Sequence, residues 1–149
     1  MKKRLLPLLS AAIILTVLIA GCIKPSNPGP PVLPVGNFTG VFTRLHYNGI
    51  TTKVDTIRAN ITLTMNASTG YAVGGDTSQH AASHGGYIVD GTNIAFSDAT
   101  LPSITVANPP TPTKTHLNGV YQYTYVAGSS LNLQQITDTL AYFYNMTAH

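Results

Sequence analysis

Between Thr56 and Met65 the chain alternates without a break. Ile57, Ala59, Ile61, Leu63 and Met65 take one parity, and Thr56, Arg58, Asn60, Thr62 and Thr64 take the other. Successive side chains of a strand point to opposite faces, so this rhythm predicts an antiparallel strand with one face in a core and one in water. Shorter segments follow the same logic. Strands are expected over 37–47, 71–74, 86–90, 94–97, 119–126, 131–135 and 139–146. They are separated by turn-forming groups: Asn48-Gly49, Gly91-Thr92-Asn93, Ala127-Gly128-Ser129-Ser130 and Ile136-Thr137-Asp138. No segment has the 3.6-residue period of an amphipathic helix. The prediction is an all-β domain of about eight antiparallel strands. Mostly sequential hairpins favour an up-and-down barrel, which removes exposed edges, with a β-sandwich as the alternative.

The N-terminus has a different pattern. Lys2, Lys3 and Arg4 precede an almost wholly apolar run from Leu5 to Val17, followed by small residues before Cys22. A charged start, a short apolar core and a small-residue cut site define a secretory signal, and the apolar run is marginal for crossing a bilayer, which takes about 20 residues. The alternative is an uncleaved anchor with a chance cysteine. Leu18-Ile19-Ala20-Gly21-Cys22 resembles the lipobox of bacterial lipoproteins, which implies cleavage before Cys22 and acylation of its thiol. Residues 1–21 are then the signal peptide, 22–35 a lipidated tether and 36–149 the domain. The tether holds repeated proline, which fixes φ and removes backbone donors, so an extended polyproline-like spacer is expected. By resemblance to known lipoproteins, Ile23 in place of Asp implies no inner-membrane retention. The absence of acidic residues after Cys22 implies no surface-export signal of the Bacteroidota type. The expected location is the cell envelope, on the outer membrane facing the periplasm, with the membrane as a partner through the lipid.

Charge then changes meaning. The formal +3 and the basic pI come from the signal peptide. From Cys22 onward, Lys24, Arg44, Lys53, Arg58 and Lys114 balance Asp55, Asp76, Asp90, Asp98 and Asp138. A neutral chain with no basic patch gives nucleic-acid binding no electrostatic footing. Cys22 is the single cysteine, so neither an intramolecular disulfide nor a thiolate zinc site can form.

Three segments carry a family resemblance. Asn37-Phe38-Thr39-Gly40-Val41-Phe42 resembles the opening strand of lipocalins, with Phe38 where they carry Trp. Residues 87–98 (YIVDGTNIAFSD) and 117–123 (LNGVYQY) are similar to later strands of small lipocalin-like (calycin) lipoproteins, many of them from Bacteroidota. The resemblance implies an eight-stranded barrel and carries no catalytic residue.

Candidate chemistry is sparse. His80 and His84 would share a helical face and hold a metal, with Asp76 as a third ligand. Flanking Gly74, Gly75, Gly85 and Gly86 instead predict a polar, solvated loop between strands, and no metal or other cofactor is expected. No G-x-S-x-G elbow, paired carboxylates or phosphate loop occurs, so the chain is read as a non-enzyme. The eight tyrosines fall in or beside predicted strands. Tyr121, Tyr123 and Tyr125 share one face, and Tyr142 and Tyr144 share the face of Leu140 and Met146. Pointed inward, these five are the candidate ligand-binding residues, able to grip a small amphipathic or hydrophobic molecule. The ordinary alternative is that tyrosines are simply good strand formers. The Pro-rich stretch 98–117 is expected to be an exposed spacer, with a lid over one barrel mouth as the alternative. Asp55-Thr56-Ile57 and Asp138-Thr139-Leu140 resemble the O-glycosylation signal of Bacteroidota periplasmic proteins. The expectation is non-catalytic ligand binding in a lipid-anchored barrel, or else a structural, partner-binding lipoprotein with a packed core.

Overall fold

The computed structural model describes residues 32–102 and 113–149. The expected signal peptide, Cys22, most of the expected tether and the middle of the Pro-rich stretch lie outside the described residues.

Eight strands form one closed antiparallel barrel: β1 (Gly36–Asn48), β2 (Lys53–Asn66), β3 (Gly70–Gly75), β4 (His84–Asp90), β5 (Asn93–Asp98), β6 (Gly119–Val126), β7 (Ser130–Ile136) and β8 (Leu140–Ala148). Each strand pairs with the next, and β8 returns to β1, so the sandwich alternative is excluded. No helix occurs among the described residues.

Parity decides what fills the interior. Ala59, Ile61, Leu63 and Met65 of β2 are buried, while Asn60, Thr62 and Thr64 face solvent. Register sets Phe38 opposite Leu63 and Phe42 opposite Ala59, the second pair placing a large side chain beside a small one. With Val73, Ile94, Phe96, Leu131, Leu133 and Met146 from the other strands, they make one contiguous core. Pairing carried once round the barrel slips by about a dozen residues, so the strands are strongly tilted. Closure also demands a close approach between β1 and β8. A Cβ on Gly40 would strike the Asn145 carbonyl of β8, and between β4 and β5 one on Gly85 would likewise strike that of Ser97. Glycine alone fits there.

The two ends differ in their connections. At the turn end lie the short turns 67–69, 91–92 and 127–129, together with the segment entering β1. Pro34 is buried there. The Tyr87 hydroxyl donates to the Pro34 carbonyl at 2.6 Å, and that of Tyr125 donates to the Val35 carbonyl at 3.3 Å. The last residues before β1 thus dock on the barrel as a stopper. At the loop end lie 49–52, 76–83, the long link from β5 to β6, and 137–139.

The β1–β2 connection begins at the expected Asn48-Gly49 turn pair and runs on to Thr52. The Asn48 side chain accepts the amides of Ile50 and Thr51, both at 3.0 Å, and the positive φ falls on Thr52 (56°). The Asx bonds of Asn48 build a longer loop in place of a tight hairpin.

Candidate functional site

The loop end is closed from within by two segments that meet. His80 pairs with Thr115 in an isolated parallel bridge, and the Ala81 amide donates to the Thr115 carbonyl at 2.8 Å. Leu117 drops into the core with no exposed surface. The expectation of a solvated 76–84 loop is therefore corrected: His80, Ala81 and Ser83 are buried, and the segment is a plug. Apolar neighbours from the barrel wall, Phe42 among them, bury it. The reading of the whole 98–117 stretch as exposed spacer is corrected likewise at both its ends, because Asp98 and Leu117 are buried. Residues 103–112 lie outside the described residues.

His80 sits edge-on to Phe42, with centroids 4.8 Å apart. Its Nδ1 lies 2.8 Å from the Ala81 carbonyl, which can only accept, so Nδ1 carries the proton. Nε2 is then free to accept the Tyr144 hydroxyl at 2.9 Å. Burial holds His80 below the usual histidine pKa, in keeping with a neutral ring. The Tyr144 ring meets the Tyr121 ring edge to face, with centroids 5.7 Å apart. Burial pushes the Tyr121 phenol up to about 12 and that of Tyr144 well above its ordinary value, so both stay protonated. Tyr71 donates to the Leu117 carbonyl at 2.5 Å. Its phenol is also raised, by burial first and the nearby Asp98 charge second. His80, Tyr144 and Tyr71 thus each find a partner, as a low-dielectric interior requires, whereas the buried Ser83 hydroxyl has none among the described residues.

A second cluster clips the β5–β6 link. The Asp98 side chain is fully buried, and its Oδ1 accepts the Thr100 amide at 2.7 Å and the Thr100 hydroxyl at 2.6 Å. His116 Nδ1 meets Oδ2 at 2.7 Å. Burial acts to raise the Asp98 carboxyl, but the bonds from Thr100 and His116 outweigh it. The carboxyl lies below its ordinary value.

Above this floor is an open cleft of about 360 Å³, lined by Arg44, Lys114, His116, Gln135, Tyr121 and Tyr142, with Leu101 and Asn118 beside them. Three of these side chains are basic or can become so. Arg44 has the inward parity of Phe38 and Phe42 on β1. Its Nε is buried without a hydrogen-bond partner among the described residues, and its contact with Asp55, at 3.8 Å, is long.

The five sequence-predicted tyrosines do not converge. Tyr121 and Tyr142 line the cleft, and Tyr144 lies wholly inside the core. Tyr125 belongs to the turn end, and Tyr123 borders a groove on β6–β8. His80 and His84 do not form the suspected metal pair. Both His80 nitrogens are engaged, His84 is exposed at the start of β4, and no group of three His, Cys, Asp or Glu able to hold a metal occurs among the described residues. Sequence reasoning missed Arg44, Asp98 and His116. Two signals were available: Arg44 is the one charge on the inward parity of β1, and Asp98-Ala99-Thr100 has the spacing of an Asx turn.

Fold and site together define an up-and-down antiparallel barrel with a packed interior, a polar plug and a cleft at its loop end. No family model matches the chain, and no curated protein or solved structure matches it at a significant level.

Proposed function

We propose that this protein is a lipid-anchored, lipocalin-like envelope protein that binds a small anionic amphipath, without catalysis, in the cleft at the loop end of its barrel. The observation that carries this reading is the convergence of Arg44, Lys114 and His116 with the Tyr121 and Tyr142 rings around about 360 Å³ of open space. The aromatic rings suit an apolar body, and the basic side chains suit a carboxylate, phosphate or sulfonate head. The interior beneath is filled by Phe42, Tyr144, His80 and Leu117, so the ligand rests at the mouth and does not enter the barrel. The lipocalin resemblance supports the same use of one open end. The anchor and the outer-membrane, periplasm-facing location rest on the lipobox at Cys22, and the entry of the chain at the turn end leaves the cleft on the far side.

Isothermal titration of the purified protein with decanoate, decanol and octylamine tests the binding. Decanoate should bind most tightly, and Arg44→Gln should weaken it about tenfold, or about 1.4 kcal/mol. Equal binding of octylamine, or an unaffected Arg44→Gln variant, overturns the reading. For the anchor, Cys22→Ala should move the protein from the membrane to the soluble fraction while leaving its thermal unfolding unchanged. Retention on membranes after a high-salt wash would show that lipid is not what holds it.

A further inference from the structure

On the outer surface of β6, β7 and β8, two cross-strand rows run side by side. Register sets Gln122 opposite Gln134 and Gln134 opposite Phe143. Two positions along each strand, Thr124 lies opposite Asn132 and Asn132 opposite Asn145. All six have the parity opposite to the buried Tyr121, Leu131, Leu133, Tyr144 and Met146. Together they line a groove of about 420 Å³, larger than the cleft at the loop end, with the Tyr123–Leu133 pair between the rows and Thr92 at the margin.

The composition of this groove is polar but uncharged, with the Phe143 ring at its edge. No lining residue is charged. Four are primary amides, Thr92 and Thr124 add aliphatic hydroxyl groups at the β6 side, and Phe143 stands half-buried at the β8 side. The rows are tied across the strands: Gln134 Nε2 donates to Gln122 Oε1 at 2.7 Å, and Asn132 Nδ2 donates to Thr124 Oγ1 at 3.4 Å. These bonds fix the amides on a rigid sheet. A primary amide has two donors and two oxygen lone pairs, so each keeps capacity for a ligand.

We propose that this groove is a binding site for a neutral saccharide. A sugar ring presents hydroxyl groups that both donate and accept, which amides match without charge, and a C–H face that packs on an aromatic ring such as Phe143. Strand spacing of about 4.8 Å and a step of about 6.8 Å between rows set the amides at the scale of neighbouring hydroxyl groups on one or two hexose rings. Other classes of ligand fit less well. Nucleic acid and acidic polymers need cations, which the groove lacks. Protein interfaces concentrate their energy in Trp, Tyr and Arg anchors, and the outward rows offer none.

The test is a ¹⁵N–¹H NMR titration of the purified protein with maltotetraose, cellotetraose and chitotetraose, with trigalacturonate as an acidic control. At least one neutral tetrasaccharide at millimolar concentration should shift the amides of 122–124, 132–134 and 143–145. Affinity should not change with salt, in contrast to decanoate at the loop end. Gln134→Ala and Phe143→Leu, both on the outer face, should preserve the remaining spectrum and each weaken binding about tenfold. The proposal is overturned if no neutral sugar shifts these amides, if trigalacturonate binds as tightly, or if both variants bind like the parent. Decanoate binding can survive any of these results, so the two sites stand or fall separately.

Discussion

The two ends of this barrel are closed by different means. At the turn end, tight turns and a proline-containing segment cover an apolar interior, and the tyrosine hydroxyls of Tyr87 and Tyr125 reach backbone carbonyls at the rim. At the loop end, closure relies on buried polar groups: the His80–Tyr144 pair and the Asp98–Thr100–His116 clip. Apolar packing is tolerant, because a small misfit costs only contact. A polar plug is exacting, since each donor or acceptor that loses its partner while buried costs about 1–3 kcal/mol. The tolerant end is built from local turns. The exacting end borders the cleft proposed as the ligand site, and a binding site needs a precise arrangement of side chains.

That contrast can be broken most directly by introducing a charge at each end. Leu63→Asp should prevent cooperative folding, because an unpaired carboxylate against Phe38 costs about 4 kcal/mol or more. Leu117→Asp should instead release the plug and leave the strands paired, as read by hydrogen exchange of β1, β2 and β8. If Leu117→Asp unfolds the whole barrel as completely as Leu63→Asp, the two ends form a single cooperative unit and the contrast fails. Tyr144→Phe is a gentler probe. It leaves His80 Nε2 buried without a donor and should lower stability by about 1–3 kcal/mol in denaturant melts. An unchanged midpoint would show that the plug does not depend on this bond.

Acid should produce the smallest effect, and the direction follows from the shifts. His80 and Asp98 both have folded-state pKa values below their ordinary values of 6.5 and 3.8. Each is protonated more readily in the unfolded chain, so each contributes stability above its ordinary value that is lost as pH falls toward the folded one. The His80 contribution should begin to fade below about pH 6.5, and that of Asp98 only below about pH 3.8. Amide exchange at 79–83 should therefore accelerate between neutrality and pH 5 relative to that at 125–133, after correction for intrinsic rates. Equal protection at both ends across this range would remove the electrostatic part of the contrast.

The same divide governs what could be read from the chain. The β2 alternation from Ile57 to Met65 is local, and the structure repeats it in burial. The tyrosine parity on β6 and β8 was legible for the same reason. The plug was not, because Gln79-His80-Ala81-Ala82-Ser83 has no period, and its burial depends on Phe42, Thr115 and Tyr144, residues far away in sequence. Glycines on both sides looked like a mobile loop, yet Gly75 and Gly85 permit the tight passages that bring the segment inside. The tyrosines were grouped by face, but face alone does not give height along a tilted barrel. Tyr121 and Tyr125 share a parity and finish in different places: one beside the cleft, the other bonded to the entering chain.

The entry of the chain at Gly36 has a mechanical meaning. A pull on the N-terminal segment away from the barrel is directed along β1, thirteen residues long, which is laddered to β2 on one flank and β8 on the other. Such a load shears both ladders at once, so many bonds share it where a strand peeled from an edge would lose them one by one. The stopper formed by Pro34 and Val35 meets the tension first and can yield without opening the barrel.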